Sequence, residues 1–207
     1  MRFAAVLSDL DGVLVDSGAE IERVWREWAI SHDLDADDMV RATHGVPAAP
    51  VIARVAPWLD PVAEAARVDR LHAETGGVAL PGAAELLALV SPLAVVTSCS
   101  PPLAAARFAA AGLRPPEVVI TNDLTERGKP HPDPYLAAAA ALGVAPRDCL
   151  VVEDAPAGVA AGRAAGAEVW AVATTHSPGE LRDASVVVPD LWGVLGGLGL
   201  RRRTAAR

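Results

Sequence analysis

Lysine is almost missing from this chain: of 18 basic residues among 207, 17 are arginine and Lys129 is the one lysine. A sequence that takes Arg wherever a surface cation suffices has kept a compact ammonium on a flexible stem at one position, the form suited to reaching a phosphate or carboxylate in a tight site. Chance retention is the alternative. Cysteine is scarce too. Cys99 and Cys149 are the only two and show no metal-type spacing, which excludes a disulfide framework, gives a zinc site no support and makes a reduced cytoplasm the expected setting. Positive charge is in deficit, with a net charge of −8, which argues against generic nucleic-acid or anionic-membrane binding. Arg201, Arg202, Arg203 and Arg207 are read as a frayed basic end. No uncharged run reaches the roughly 18 residues of a membrane span, and the first apolar run follows Met1 too closely for a signal peptide. What is present is apolar: 52% of the residues are hydrophobic, enough for one medium domain or a core with a small insert.

Short apolar runs alternate with Ala-rich helical stretches: Val6-Leu7, Leu93 to Val96, Val118 to Ile120, Leu150 to Val152, Val169 to Val172 and Val186 to Val188. This alternation predicts βαβ units and a parallel sheet. About 80 residues separate the first run from the second, far more than one crossover needs, so an insert is implied. Its helical periodicity runs through Ile21, Val24, Trp25 and Trp28, then Val51, Ile52, Val55 and Trp58, with breaks at Gly45, Pro47 and Gly76-Gly77. The tryptophans are read as packing rather than a ligand box.

Chemistry gathers where the apolar runs end. Asp9 and Asp11 close the first, two carboxylates one residue apart. On a strand they would share a face and repel, raising one pKa or demanding a cation. At the carboxyl end of a parallel strand such a pair suggests a nucleophile and an acid/base partner sharing a metal, with an Asp-Gly turn as the alternative. Thr97 and Ser98 end the second run, offering hydroxyls and backbone N–H groups to an oxyanion, or else forming a turn or a helix cap before Pro101. Around Lys129, three prolines within Pro130 to Pro134 fix the backbone that would deliver the ammonium. Glu153 and Asp154 place a second acidic pair after Leu150 to Val152, with capping the alternative for Asp154. In a parallel sheet all these ends lie on one side, so the groups can converge. Carboxylate oxygens are the ligands that Mg²⁺ prefers.

In this order and placement the segments resemble the haloacid dehalogenase-like superfamily, in its Mg²⁺-dependent phosphatase branch with a small helical cap, over nearly the whole chain. The runs Asp9 to Ser17, Gly128 to Tyr135 and Glu153 to Gly158 look most like the sugar-phosphatase and β-phosphoglucomutase-like subgroup. The resemblance implies a Rossmann-like three-layer α/β core over 1–15 and 80–207 and a helical cap over 16–79. It implies Asp9 as the nucleophile that forms an aspartyl-phosphate, Asp11 as general acid/base, Thr97 and Ser98 as phosphoryl binders and Lys129 as the neutralising cation. Mg²⁺ would be held by Asp9, the Asp11 carbonyl and Asp154, with Glu153 beside them or acting through water. The expected substrate is a small phosphorylated sugar or polyol, with no nucleic acid or membrane, on a monomer or weak homodimer. His44 matches a cap residue that approaches substrate, or is an ordinary helix-end histidine. Ala48 stands where mutase members carry an Arg for a second phosphate, which favours hydrolysis over the nearest alternative, a phosphosugar mutase. A 2-haloacid dehalogenase would lack Asp11, and a phospho-aspartate signalling domain would lack both Asp11 and the insert.

Overall fold

The computed structural model describes residues 2–43 and 48–200. His44 and the arginines at 201–203 and 207 therefore lie outside the described residues. Six parallel strands form the main sheet: β1 (Ala5–Ser8), β4 (Leu93–Val96), β5 (Val118–Ile120), β6 (Cys149–Glu153), β7 (Glu168–Val172) and β8 (Val186–Val188), in the spatial order β5-β4-β1-β6-β7-β8. Every residue of β1, β4 and β6 is buried, the reason these strands read as unbroken apolar runs in the sequence. The flanking strands β5 and β8 are partly open to solvent.

Side-chain alternation divides the core into two layers, one on each face of the sheet. Val6, Val95, Leu150 and Val152 pack with α5 (Ala83–Leu89), α6 (Pro101–Ala110) and α9 (Leu191–Gly197). Their neighbours Leu7, Ala94, Val96 and Val151 pack against α7 (Asp133–Ala141) and α8 (Pro156–Ala164). From β1 the chain builds outward to β4 and β5 on one side and to β6, β7 and β8 on the other. The carboxyl end of β1 thus lies at the switch point where open α/β sheets bind ligands.

The long excursion after β1 is helical: α1 (Gly18–Ser31), α2 (Ala36–Thr43), α3 (Ala48–Val55) and α4 (Pro61–Thr75). It leaves and returns through a two-residue antiparallel ribbon, β2 (Val15–Asp16) on β3 (Val78–Ala79), which no sequence pattern announced. Its own core joins Val24, Trp25, Trp28, Met39, Ile52 and Val68. The Asp60 carboxylate caps α4, accepting from the N–H groups of Val62 and Ala63 at 2.9 and 3.1 Å. Trp28 packs as expected and donates its indole N–H to Glu64 at 2.8 Å. Trp58 does not: α3 stops at Val55, Pro57 follows, and the residue is 64% exposed.

Candidate active site

At the carboxyl edge of the sheet lies a cavity of about 130 Å³. On its core side it is lined by Asp9, Asp11, Thr97, Ser98, Lys129, Glu153 and Asp154, so all seven core residues singled out in the sequence reach one space. Lys129 Nζ organises them. It donates to Asp9 Oδ1 at 2.7 Å, to Glu153 Oε1 at 2.5 Å and to the Val96 carbonyl at 3.1 Å, which uses all three ammonium protons. Although burial alone works against the ammonium, the carboxylates of Asp9 and Glu153 hold its pKa above the ordinary lysine value.

Glu153 is fully committed. Besides Lys129, its Oε1 accepts from the Tyr135 hydroxyl at 2.6 Å, and its Oε2 accepts from the backbone N–H of Asp154 at 3.1 Å and of Ala155 at 3.4 Å. Asp154 turns the other way, towards the Thr175 hydroxyl, and caps nothing; the first turn of α8 follows Ala155. Two glycines make the room. A Cβ on Gly158 would lie 1.8 Å from Glu153 Oε1, and one on Gly12, at φ +77°, would lie 2.0 Å from Asp154 Oδ2. These positions must stay bare for the acidic pair to pack.

The strand-face reading of Asp9 and Asp11 does not hold. Strand β1 ends at Ser8, Asp9 is tied by its N–H to the Val152 carbonyl at 2.9 Å, and the chain then turns over Leu10 to Leu14. Burial, not the neighbouring aspartate, is the main force on Asp9: desolvation pushes its pKa up to about 7, Lys129 pulls it down, and Glu153 repels it more than Asp11 does. The Asp11 carboxylate is held apart by the Ser17 hydroxyl, by the Cys99 thiol at 3.0 Å and by Arg107, whose Nε lies 3.1 Å from Oδ1. Thr97 does form the turn that its type allows, accepting from the Cys99 N–H at 3.1 Å.

Asp9, Glu153 and Asp154 bring ligand oxygens within 4.8 Å of one another, all three buried. Set against the one ammonium, they leave negative charge in a low-dielectric pocket, and Asp154 is pushed well above the carboxylate range by burial, then by Glu153 and Asp9. An all-oxygen, over-charged cradle kept open by two glycines fits a hard divalent cation.

The sequence reading missed a further part of the lining, built from Trp25 of α1, Asp69 and His72 of α4, and Arg107 of α6. One signal was available: Arg107 falls three and four residues after Ala104 and Leu103, on the apolar face of an Ala-rich helix. Thr175 lies in a loop whose composition carries no mark. Among the described residues, no helix is long and apolar enough to cross a membrane.

Comparison with known proteins agrees with the geometry. The model of the haloacid dehalogenase-like hydrolases matches residues 3–166. Hexitol phosphatase A of Escherichia coli is 43% identical over 200 residues, 92% of this chain and 93% of that protein. Fructose-1-phosphate phosphatase of the same organism is 33% identical over 183 residues, 80% of this chain and 94% of that protein. A crystal structure of a hydrolase from Pseudomonas syringae superposes with a TM-score of 0.80 at 27% identity, over 94% of this chain and 97% of that one. With its six-stranded parallel sheet, its helical excursion after β1 and a family match over most of its length, the chain belongs to the haloacid dehalogenase-like hydrolases.

Proposed function

We propose that the protein is a Mg²⁺-dependent phosphatase that hydrolyses the phosphate monoester of a small sugar or polyol through an aspartyl-phosphate on Asp9. The observation that carries this reading is Asp9 itself, a buried carboxylate 2.7 Å from the chain's one lysine and within reach of a second acidic pair. The hydrogen bond from Lys129 fixes Oδ1, so the other oxygen, Oδ2, is the attacking atom. Thr97, Ser98 and the backbone N–H groups after β4 receive the phosphoryl oxygens, and Lys129 offsets the charge that develops on them. Asp11 gives a proton to the departing alkoxide and afterwards takes one from the water that hydrolyses the acyl-phosphate. Ser17, Cys99 and Arg107 hold the Asp11 carboxylate in place for both steps. Asp9, the Asp11 backbone carbonyl and Asp154 would hold Mg²⁺, with Glu153 acting through water because its own oxygens are already engaged. When bound, the ion supplies Lewis-acid stabilisation of phosphoryl charge.

The unit boundaries follow the same reading: 1–15 and 80–207 form the catalytic core and 16–79 the cap. Ala48 lines the cavity with a methyl where a second phosphate would need a cation, which supports hydrolysis over mutase chemistry. Sugar and polyol substrates are favoured by likeness to the hexitol and fructose-1-phosphate phosphatases, and a reducing cytoplasm suits two buried free thiols. Purified protein is expected to release phosphate from members of a panel of sugar phosphates, polyol phosphates and phosphoglycolate with Mg²⁺ and to lose that activity in EDTA. Asp9→Asn is expected to abolish it by roughly a thousandfold or more. Activity of Asp9→Asn near wild type overturns the nucleophile assignment, and no Mg²⁺-dependent release from any ester overturns the phosphatase.

A further inference from the structure

Two buried side chains that line the cavity, Arg107 and His72, carry polar atoms with no hydrogen-bond partner. Arg107 is 1% exposed and His72 is 5% exposed, yet Arg107 Nε and Nη2 and His72 Nε2 make no hydrogen bond. Nε is close enough to Asp11 for an ion pair, at 3.1 Å, but is not aligned to donate to it. Only Nη1 is engaged, with the carbonyls of Gly76 and His72. A buried polar atom left unpaired costs about 1–3 kcal/mol, and such atoms point to a partner that arrives from outside. Both residues line the cavity, and the three atoms lie just beneath its surface, with the Ile21 backbone beside the His72 ring, so a substrate hydroxyl reaches them through a small side-chain adjustment.

The neighbours define what that partner is. Asp69, one helical turn before His72 on α4 and half-buried, lines the same wall and faces Ser100 and Arg107. Trp25 closes the wall with an apolar face, its ring edge-on to His72 with centroids 6.1 Å apart. One guanidinium therefore stands between two carboxylates, Asp11 and Asp69. A second anionic group would meet an acidic surround, so this wall does not suit a bisphosphate. Arg107 can only donate, Asp69 as a carboxylate can only accept, and a neutral His72 does one at each nitrogen. Hydroxyl groups, which donate and accept at once, satisfy that set, and a Trp face covers the C–H side of a carbon chain that carries them.

We propose that Arg107, His72 and Asp69, backed by Trp25, form a hydroxyl-reading subsite that selects a polyhydroxylated leaving group with at least two free hydroxyls beyond the ester carbon. This rests on the phosphatase reading and adds the residues that choose the alcohol. The test compares two esters on the purified full chain with Mg²⁺: a hexitol 6-phosphate such as sorbitol 6-phosphate, and phenyl phosphate, which has no hydroxyl. The measured quantity is the ratio of their kcat/KM values, which does not depend on the fraction of folded enzyme. Wild type is expected to favour the hexitol ester, and His72→Phe and Asp69→Asn are each expected to lower the ratio by about tenfold or more, since the substrate's hydroxyls lose their partners. Arg107 is left intact because it also holds Asp11, whose proton the alkyl ester needs more than the phenyl ester does. A ratio within twofold of wild type in His72→Phe and Asp69→Asn overturns the subsite while leaving the phosphatase intact. A wild type that cleaves only phenyl phosphate overturns the subsite as well. Release of phosphate from neither ester by wild type fails the phosphatase reading itself, and the subsite falls with it.

Discussion

Lys129 and Arg107 are both buried cations lining one cavity, yet the first donates every proton it has while the second leaves two nitrogens without a hydrogen bond. Around Lys129 the polar atoms are closed on one another: Glu153 accepts from Lys129, Tyr135 and two backbone N–H groups, and Thr175 holds Asp154. Around Arg107, Nη2 and His72 Nε2 stay unpaired, on two residues that line the cavity. The difference matches a division of labour. The phosphoryl group is the same in every monoester, so the groups that meet it can be fixed in advance, as electrostatic preorganisation requires. The alcohol varies, and a wall that selects it must keep unspent hydrogen bonds for it.

Breaking the closed wall should have the largest effect. Lys129→Met keeps the stem and removes the charge, leaving Asp9, Glu153 and Asp154 buried with no cation. The expected loss is about 3–5 kcal/mol of stability, seen as a fall in Tm of roughly 10 °C, together with roughly a thousandfold loss of phosphate release. A Tm within 2 °C of wild type, roughly the shift that a fraction of a kcal/mol would produce, shows that the ammonium does not hold that wall together. A smaller effect is expected at Gly158. Alanine gains about 1 kcal/mol of helix propensity over glycine, but its Cβ would lie 1.8 Å from Glu153 Oε1, an oxygen that cannot yield while Lys129 and Tyr135 hold it. The collision outweighs the propensity, and Gly158→Ala should lose about 2 kcal/mol in denaturant unfolding. Gly196→Ala, on α9 with nothing within 4 Å, should instead gain slightly. If Gly158→Ala gains stability as Gly196→Ala is expected to, the packing at Glu153 is looser than a 1.8 Å approach allows.

The closed wall was legible in the sequence and the open one was not, for one physical reason. Asp9, Thr97, Glu153 and Asp154 each follow an apolar strand buried on both faces, where a polar residue is an anomaly that sequence reading detects. Lys129 was marked by composition and by the prolines that follow it. The strands themselves read clearly because four or five buried residues in a row leave a run, whereas the ribbon of β2 and β3 has two residues per strand and leaves no pattern. Asp69, His72 and Arg107 occupy helices, where a polar residue is ordinary until the packing of α4 on α6 decides what it faces. Trp58 shows the converse error: spacing alone placed it seven residues after Val51 on a helix that Pro57 does not allow to continue.

The smallest expected effect sharpens the contrast at the open wall. Burial first, then the Arg107 cation and Arg23, lower the pKa of His72 to about 4, against an upward pull from the Ile21 backbone and Asp11. The unfolded chain would titrate near 6.5. Since the folded value is the lower one, neutral His72 contributes its full share of stability above pH 6.5, and that share is lost as pH falls from 6.5 towards 4, because the unfolded state takes the proton first. Asp9 works in the opposite sense: its folded value of about 7 is above the unfolded 3.8, so it favours the folded state as pH falls through the same window. The two are separated by difference. Between pH 7.5 and 5.5, unfolding free energies of wild type should fall by about 1 kcal/mol relative to His72→Phe, whose ring fills the same space without titrating. If the two proteins track each other across that window, His72 takes up its proton in the folded state as easily as in the unfolded chain, and the wall around Arg107 is wetter than its burial implies.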